Sequence, residues 1–101
     1  MSQFGINLVV LDPGSISALR HWHAAEDEFV YVIDGVATLI DEDGEHEMPP
    51  GSAAGFAAGE ANGHHFLNQS KHAVALLVVG SRRPGRETIT YPDDPVGPIS
   101  K

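Results

Sequence analysis

Residues 20 to 35 read Arg-His-Trp-His-Ala-Ala-Glu-Asp-Glu-Phe-Val-Tyr-Val-Ile-Asp-Gly. On a β-strand, residues two apart project from one face with Cα atoms about 6.5 Å apart, so His21 and His23 offer both imidazoles to a common ion while Trp22 points away. A short link leads to three acids, Glu26, Asp27 and Glu28, and then to Phe29–Ile33, whose aromatic and β-branched content is that of a buried strand. A tight reversal in the link would lay a carboxylate beside the two rings. Two imidazoles and one carboxylate form a facial ligand set that leaves positions on an ion open for water, oxygen or substrate. A third imidazole from a distant strand would complete a four-ligand site.

Composition narrows what else the chain offers. There is no cysteine, so disulfides and thiolate ligands are excluded and a transition metal must be held by imidazole and carboxylate. Six Lys and Arg against 14 Asp and Glu give a net charge of −8, which argues against nucleic acid and anionic membranes as partners. No apolar run approaches the roughly 18 residues of a membrane span. The first ten residues lack the basic region of a secretory signal, which makes the cytoplasm the expected location. A chain of 101 residues suits one domain. Arg82, Arg83 and Arg86 read as solvated loop charge.

Turn signals divide the chain into short extended segments. Residues 5–11 form a strand closed by Asp12-Pro13-Gly14, and a second strand runs from Ile16 to His23. Glu28–Ile33 is followed by Asp34-Gly35, a hairpin signal that predicts 36–41 as the pairing partner. A further hairpin at Glu42-Asp43-Gly44 leads into the polar segment 45–48, expected at a sheet edge. Short strands at 52–56 and 64–68 flank a loop of small residues. Ala73–Val79 is almost continuously apolar, as in a strand buried on both faces. Residues 87–91 form a last strand, and the Pro-rich end, 92–101, is left outside regular structure. No stretch shows helical periodicity, so the expected architecture is an all-β meander of eight or nine strands in residues 1–91, with 92–101 as a tail.

The spacing resembles the two motifs of the cupin superfamily. Gly14, six residues, His21-Trp22-His23, four residues, Glu28, six residues and Gly35 look like the first motif, with one extra residue after the first glycine. Gly51, five residues, Ala57-Ala58-Gly59, four residues, His64, three residues and Asn68 look like the second, with Ala57 in place of proline and two extra residues before the histidine. The resemblance implies a double-stranded β-helix, or jelly-roll, barrel with His21, His23, Glu28 and His64 as ligands of one divalent metal. It favours Glu28 over Glu26 and Asp27 through its seven-residue step to Gly35, and His64 over His65 because His64 stands four before Asn68. The stretches 20–35 and 62–68 also look like those of small bacterial cupins.

Tyr31, Phe56 and Phe66 are candidate pocket residues, Phe56 and Phe66 because their strands flank the variable loop and Tyr31 for its hydroxyl. Asn68 reads as a support for the His64 strand. His46 and His72 read as surface residues. Three histidines and a glutamate suit Mn, Fe, Ni, Cu or Zn. The expected function is a metalloenzyme using Lewis-acid or oxygen chemistry on a small polar organic molecule. The alternative is a module that binds or senses a small ligand without catalysis. Apolar residues at Trp22, Phe29 and 73–79 suggest a homodimer. No residue besides the metal set stands out as a catalytic base.

Overall fold

The structure, a computed structural model, describes residues 3–17, 22–82, 88–90 and 99–100. His21, Arg83 and Arg86 lie outside the described residues. Those described form ten strands and no helix: β1 (Phe4–Leu11), β2 (Trp22–His23), β3 (Glu28–Asp34), β4 (Ala37–Asp41), β5 (Gly44–Met48), β6 (Ala53–Phe56), β7 (His65–Leu67), β8 (Val74–Ser81), β9 (Thr88–Thr90) and β10 (Ile99–Ser100). Ile99 and Ser100 pair with β9, so part of the segment expected to be irregular is in fact strand.

Strand order is not sequential, and this corrects the expected meander. One sheet runs β1-β8-β3-β6, a second β5-β4-β7, and a small third β10-β9-β2. All the pairings are antiparallel. The first two sheets enclose the core. Val30, Val32, Val74 and Leu76 of the four-stranded sheet face Ala37, Leu39, Met48 and Phe66 of the other. Burying one such aliphatic side chain is worth about 1.5–3 kcal/mol, so this cluster supplies much of the favourable free energy in a domain of this size.

The Asp34-Gly35 turn is not a hairpin. β3 pairs with β6 and β8, whereas β4 pairs with β5 and β7, so the chain changes sheets at Gly35. The β3–β8 register slips between Val32 and Asp34, a bulge that bends the strand out of its sheet. Gly35 then passes close to the start of β8 with φ +78°. A Cβ there would lie 2.5 Å from the Ala73 carbonyl oxygen and 3.0 Å from Val74 Cα, both backbone atoms. By contrast the Glu42–Gly44 hairpin forms as expected, with Asp41 opposite Gly44.

Asn68 ties the ends of three segments together. It is fully buried, its Nδ2 donates to the carbonyls of Leu11 and His72, and its Oδ1 accepts from the Ser70 amide and hydroxyl. Its backbone exchanges hydrogen bonds with Gly14 and Ser15. Every polar atom of the amide side chain is thereby occupied, as burial requires.

The two glycines that bracket the first motif separate backbone strain from steric exclusion. Both have positive φ, but a Cβ at Gly14 would meet nothing within 4 Å. Gly14→Ala should cost about 1 kcal/mol, or ~5 °C in Tm, whereas Gly35→Ala should cost roughly 3 kcal/mol or more. Thermal unfolding of the two variants measures the difference; equal losses would remove the close approach as the reason for Gly35.

Candidate metal centre

Glu28 opens β3 on the row that points into the barrel, two residues before Val30 and four before Val32. Its carboxylate meets His64 from the residue just before β7. His64 Nε2 lies 2.6 Å from Glu28 Oε1, and His64 is only 1% exposed. His23, on β2, approaches the other oxygen, with Nε2 3.8 Å from Glu28 Oε2. Three of the four expected ligands therefore converge on one carboxylate. The fourth, His21, lies outside the described residues. Among the described residues no three His, Asp or Glu side chains are gathered closely enough to hold an ion as they stand.

The chemistry of this donor set nevertheless fits a divalent metal. His64 Nδ1 lies 2.9 Å from the Asn62 carbonyl oxygen, which accepts only, so Nδ1 carries a hydrogen. The other nitrogen, Nε2, is left directed at the carboxylate. A ring lone pair and a carboxylate oxygen do not meet at 2.6 Å unless a cation is shared between them. A hydrogen-bonding proton meets that need at this distance, and the same two donor atoms, drawn slightly apart, are of the kind that hold a divalent ion. Donation of the far ring N–H to a backbone carbonyl is the usual support of a metal-binding histidine.

Packing holds the imidazole from the side. The Phe56 ring stacks on it with a centroid separation of 3.5 Å and an interplanar angle of 5°, and Phe66 meets Phe56 edge-on at 6.4 Å. A cavity of about 160 Å³ opens beside the pair, walled by Val9, Val30, Leu76 and Val78 on one side and Phe66 on the other, with Glu28, His64, His65 and Ser17 as its polar groups. Phe66 thus lines the cavity and Phe56 backs His64. Tyr31 takes neither place: it stands on the outward row of β3, 38% exposed, which corrects its assignment to the pocket. His64, Phe66 and Asn68 alternate as buried residues with half-buried His65 and Leu67, so His64 is the histidine that meets Glu28.

Neither rival of Glu28 occupies its position. Asp27 accepts a hydrogen bond from the Ala58 amide, and its backbone is tied to Ser81 on β8. Glu26 belongs to the same link. This link and the 57–60 loop are joined again where the Gly59 amide donates to the His23 carbonyl. The mouth of the barrel is therefore stitched by backbone hydrogen bonds around the candidate ligands.

A second support was not anticipated from sequence. The Glu42 amide donates to Asn62 Oδ1, and Glu42 Oε1 accepts from the Gly63 amide, so the β4–β5 turn grips the two residues that precede His64. That turn is itself set by Asp41, whose Oδ1 accepts from His46 Nε2 and from the Asp43 amide, each at 2.9 Å. His46 is thus an exposed histidine with a carboxylate partner. Burial would raise the Asp41 carboxyl, but the hydrogen bond from His46, those from the Asp43 and Gly44 amides and the His46 charge together hold it below its ordinary value.

Comparison with known proteins gives the family. The family model described as the cupin domain matches residues 7–80. This chain belongs to the cupin family. A sugar phosphate isomerase of the cupin superfamily from Silicibacter pomeroyi is 47% identical, with a TM-score of 0.90 over 98% of this chain and 67% of its own. A protein of Acidithiobacillus ferrooxidans, provisionally assigned as a sugar phosphate isomerase, is 33% identical with a TM-score of 0.84, covering 90% of this cupin and 57% of its own chain. This cupin therefore spans about two thirds of the first of these chains and little more than half of the second. A predicted oxalate decarboxylase from Thermotoga maritima, at 22% identity and a TM-score of 0.69 over 77% of this chain and 65% of its own, shares the fold. No curated protein gives a match.

The Asp41 turn makes the grip on His64 sensitive to acid. A carboxyl whose folded pKa is lowered stabilises the fold above its unfolded pKa, and that stabilisation is lost as pH falls through the folded value. Stability should therefore decline as pH drops below about 4, the ordinary aspartate range, and Asp41→Asn should flatten part of that slope while lowering stability at neutral pH. Urea unfolding of both proteins between pH 7 and pH 2.5 reads the effect; parallel curves would show that Asp41 gains nothing from its partners.

Proposed function

We propose that this cupin is a metal-dependent enzyme acting on a small polar organic molecule, and that its reaction is the isomerisation of a hydroxy-carbonyl compound of the sugar class. The observation that supports the first half is the gathering of His23 and His64 at the Glu28 carboxylate, with His64 Nδ1 committed to a carbonyl so that Nε2 is the nitrogen turned to the site. The second half draws on the two isomerase-named structures at 47% and 33% identity.

His23, Glu28 and His64, with His21 as the fourth, are the residues that would hold the ion. A divalent metal bound there supplies Lewis-acid polarisation of substrate hydroxyl and carbonyl oxygens. The chain itself orients and shields. Phe56 and the Asn62 carbonyl fix the His64 ring, so the ligand need not reorganise when it binds. Val9, Val30, Leu76 and Val78 line the cavity with aliphatic groups that exclude water from the reacting face. At about 160 Å³ the cavity is below the roughly 300–1,000 Å³ of drug-sized ligand sites and suits a molecule of few carbons. The polar groups among the described residues that line it, Glu28, His64, His65 and Ser17, suit the hydroxyl and carbonyl oxygens of such a molecule.

Elemental analysis of protein purified without added metal should find close to one divalent ion per chain, and His64→Ala should lower that occupancy at least about tenfold. With metal restored, NMR of aldose and ketose substrates, with and without phosphate, should show interconversion by the wild type and none by His64→Ala. Unaltered occupancy in His64→Ala would sink the ligand assignment. A sugar that raises Tm without being converted would instead make this cupin a binding module.

A further inference from the structure

Arg82 reads from the sequence as loop charge, yet its side chain is not directed away from the barrel. The Arg82 amide donates to the Gln3 carbonyl, which fixes the residue beside the start of β1. From there the guanidinium folds back over Gly5: a Cβ at that glycine would stand 2.8 Å from Nη2, 3.0 Å from Nε and 3.3 Å from Cζ. Residue 5 shares the parity of Val9 and Leu11, the inward residues of β1, and not that of exposed Ile6, Leu8 and Val10. The guanidinium therefore lies against the inner face of the four-stranded sheet, at the end where the site opens.

Register joins that position to the candidate ligands. Gly5 pairs with Gly80, Gly80 with Glu28 and Glu28 with Phe56, so these four residues form one row across β1, β8, β3 and β6. Neighbouring strands lie about 4.8 Å apart, which puts Gly5 on the order of 10 Å from Glu28. Gly80 stands between them without a side chain. Among the described residues only the Asp27 carbonyl oxygen, at 3.5 Å, comes within 4 Å of where its Cβ would be. The next row along pairs Asn7 with Val78, and Val78 is a wall of the cavity. An open strip thus leads from the cavity and the Glu28 carboxylate, past Gly80, to the guanidinium, with Asn7 along its edge.

Charge gives the strip a use. With 14 Asp and Glu against six Lys and Arg, the chain repels anions at long range, so an anionic ligand is held only where a cation stands locally. Among the described residues Arg82 has no ion-pair partner. Its planar fork matches two oxygens of a phosphate, and a side-chain amide is a further donor. We infer that Arg82 holds a terminal phosphate of the substrate, with Asn7 as the second donor, while the other end of the molecule enters the cavity beside Glu28 and His64. This role for Arg82 rests on the reading of the substrate as a sugar-class compound. The Arg82 side chain is exposed, so it can follow a ligand that spans the strip. Small and polar inward residues at the start of β1, Gly5 and Asn7, are what such a strip requires, since a large apolar side chain at either place would close it.

Calorimetric titration of the metal-loaded full chain with erythrose 4-phosphate and with erythrose, as four-carbon probes, reads the preference. The wild type should bind the phosphate at least about tenfold more tightly. Arg82→Gln should lose that preference while its affinity for erythrose, its metal content and its Tm stay at wild-type values, and Arg82→Lys should keep part of it. Lys71→Gln removes the same charge ahead of β8, at the other end of that strand, and should keep all of it. Turnover separates this site from the catalytic reading. A preference lost in Arg82→Gln supports the phosphate site even if neither sugar is converted. Isomerisation with the preference intact in Arg82→Gln would leave the catalytic reading standing and overturn the site, as would equal affinity of the wild type for the two sugars.

Discussion

The two-residue period of β3 is the constraint on which site, core and outer face all depend. Held between β6 and β8, the strand cannot rotate, so Glu28, Val30 and Val32 must point inward and Phe29, Tyr31 and Ile33 outward. Hydrophobicity alone does not choose between these settings, because both rows are apolar. Size and charge decide. The core that Val30 and Val32 enter is already filled by Leu39, Met48, Phe56 and Phe66. The inward setting also brings the Glu28 carboxylate to His64 and His23; a slip of one residue would turn it to the surface and leave His64 buried without its partner.

Burial makes the Glu28–His64 contact an exacting one. A buried imidazole and a carboxylate lose hydration that only close, directed partners replace. Here Nδ1 is satisfied by Asn62, Nε2 by Glu28 and the ring face by Phe56, so the fold spends several elements on orienting one side chain. The grip of the 41–44 turn on Asn62 and Gly63 has the same sense: it stiffens a loop of small residues that would otherwise leave His64 loosely placed.

Much of this was legible in the residues, and what was missed has particular physical causes. The meeting of Glu28 with His23 and His64 was expected, that of His23 from strand spacing and that of His64 from the second motif, while His21 lies outside the described residues. Parity counted from Glu28 would also have put Tyr31 on the outside, so that error lay in weighing a hydroxyl above the strand period. The Asp34-Gly35 corner was unreadable, since the same dipeptide serves a hairpin and a change of sheet; what decides is the approach of Ala73 and Val74, nearly forty residues on. The Asn62 carbonyl carries no side-chain signal at all. The Asp41–His46 pair was accessible, because a hairpin through Glu42–Gly44 necessarily brings the two residues close.

The apolar row of β1 shows where a local reading misleads in the other direction. Gly-Ile-Asn-Leu-Val-Val-Leu predicts a strand correctly, yet its larger side chains face away from the barrel, so hydrophobicity identified the element and not its buried side. At Gly5 a Cβ would stand 2.8 Å from Arg82 Nη2, the end of a flexible exposed side chain that can move aside. Small and polar residues inside combined with large aliphatic residues outside reverse what solvent asks of an edge strand. In β3 the outward row is likewise large and apolar, but there the inward row is core valine. One strand therefore carries two apolar rows, Val30 and Val32 buried against the opposing sheet and Phe29, Tyr31 and Ile33 exposed on the outer face, and only the inward row, opened by Glu28, builds the site.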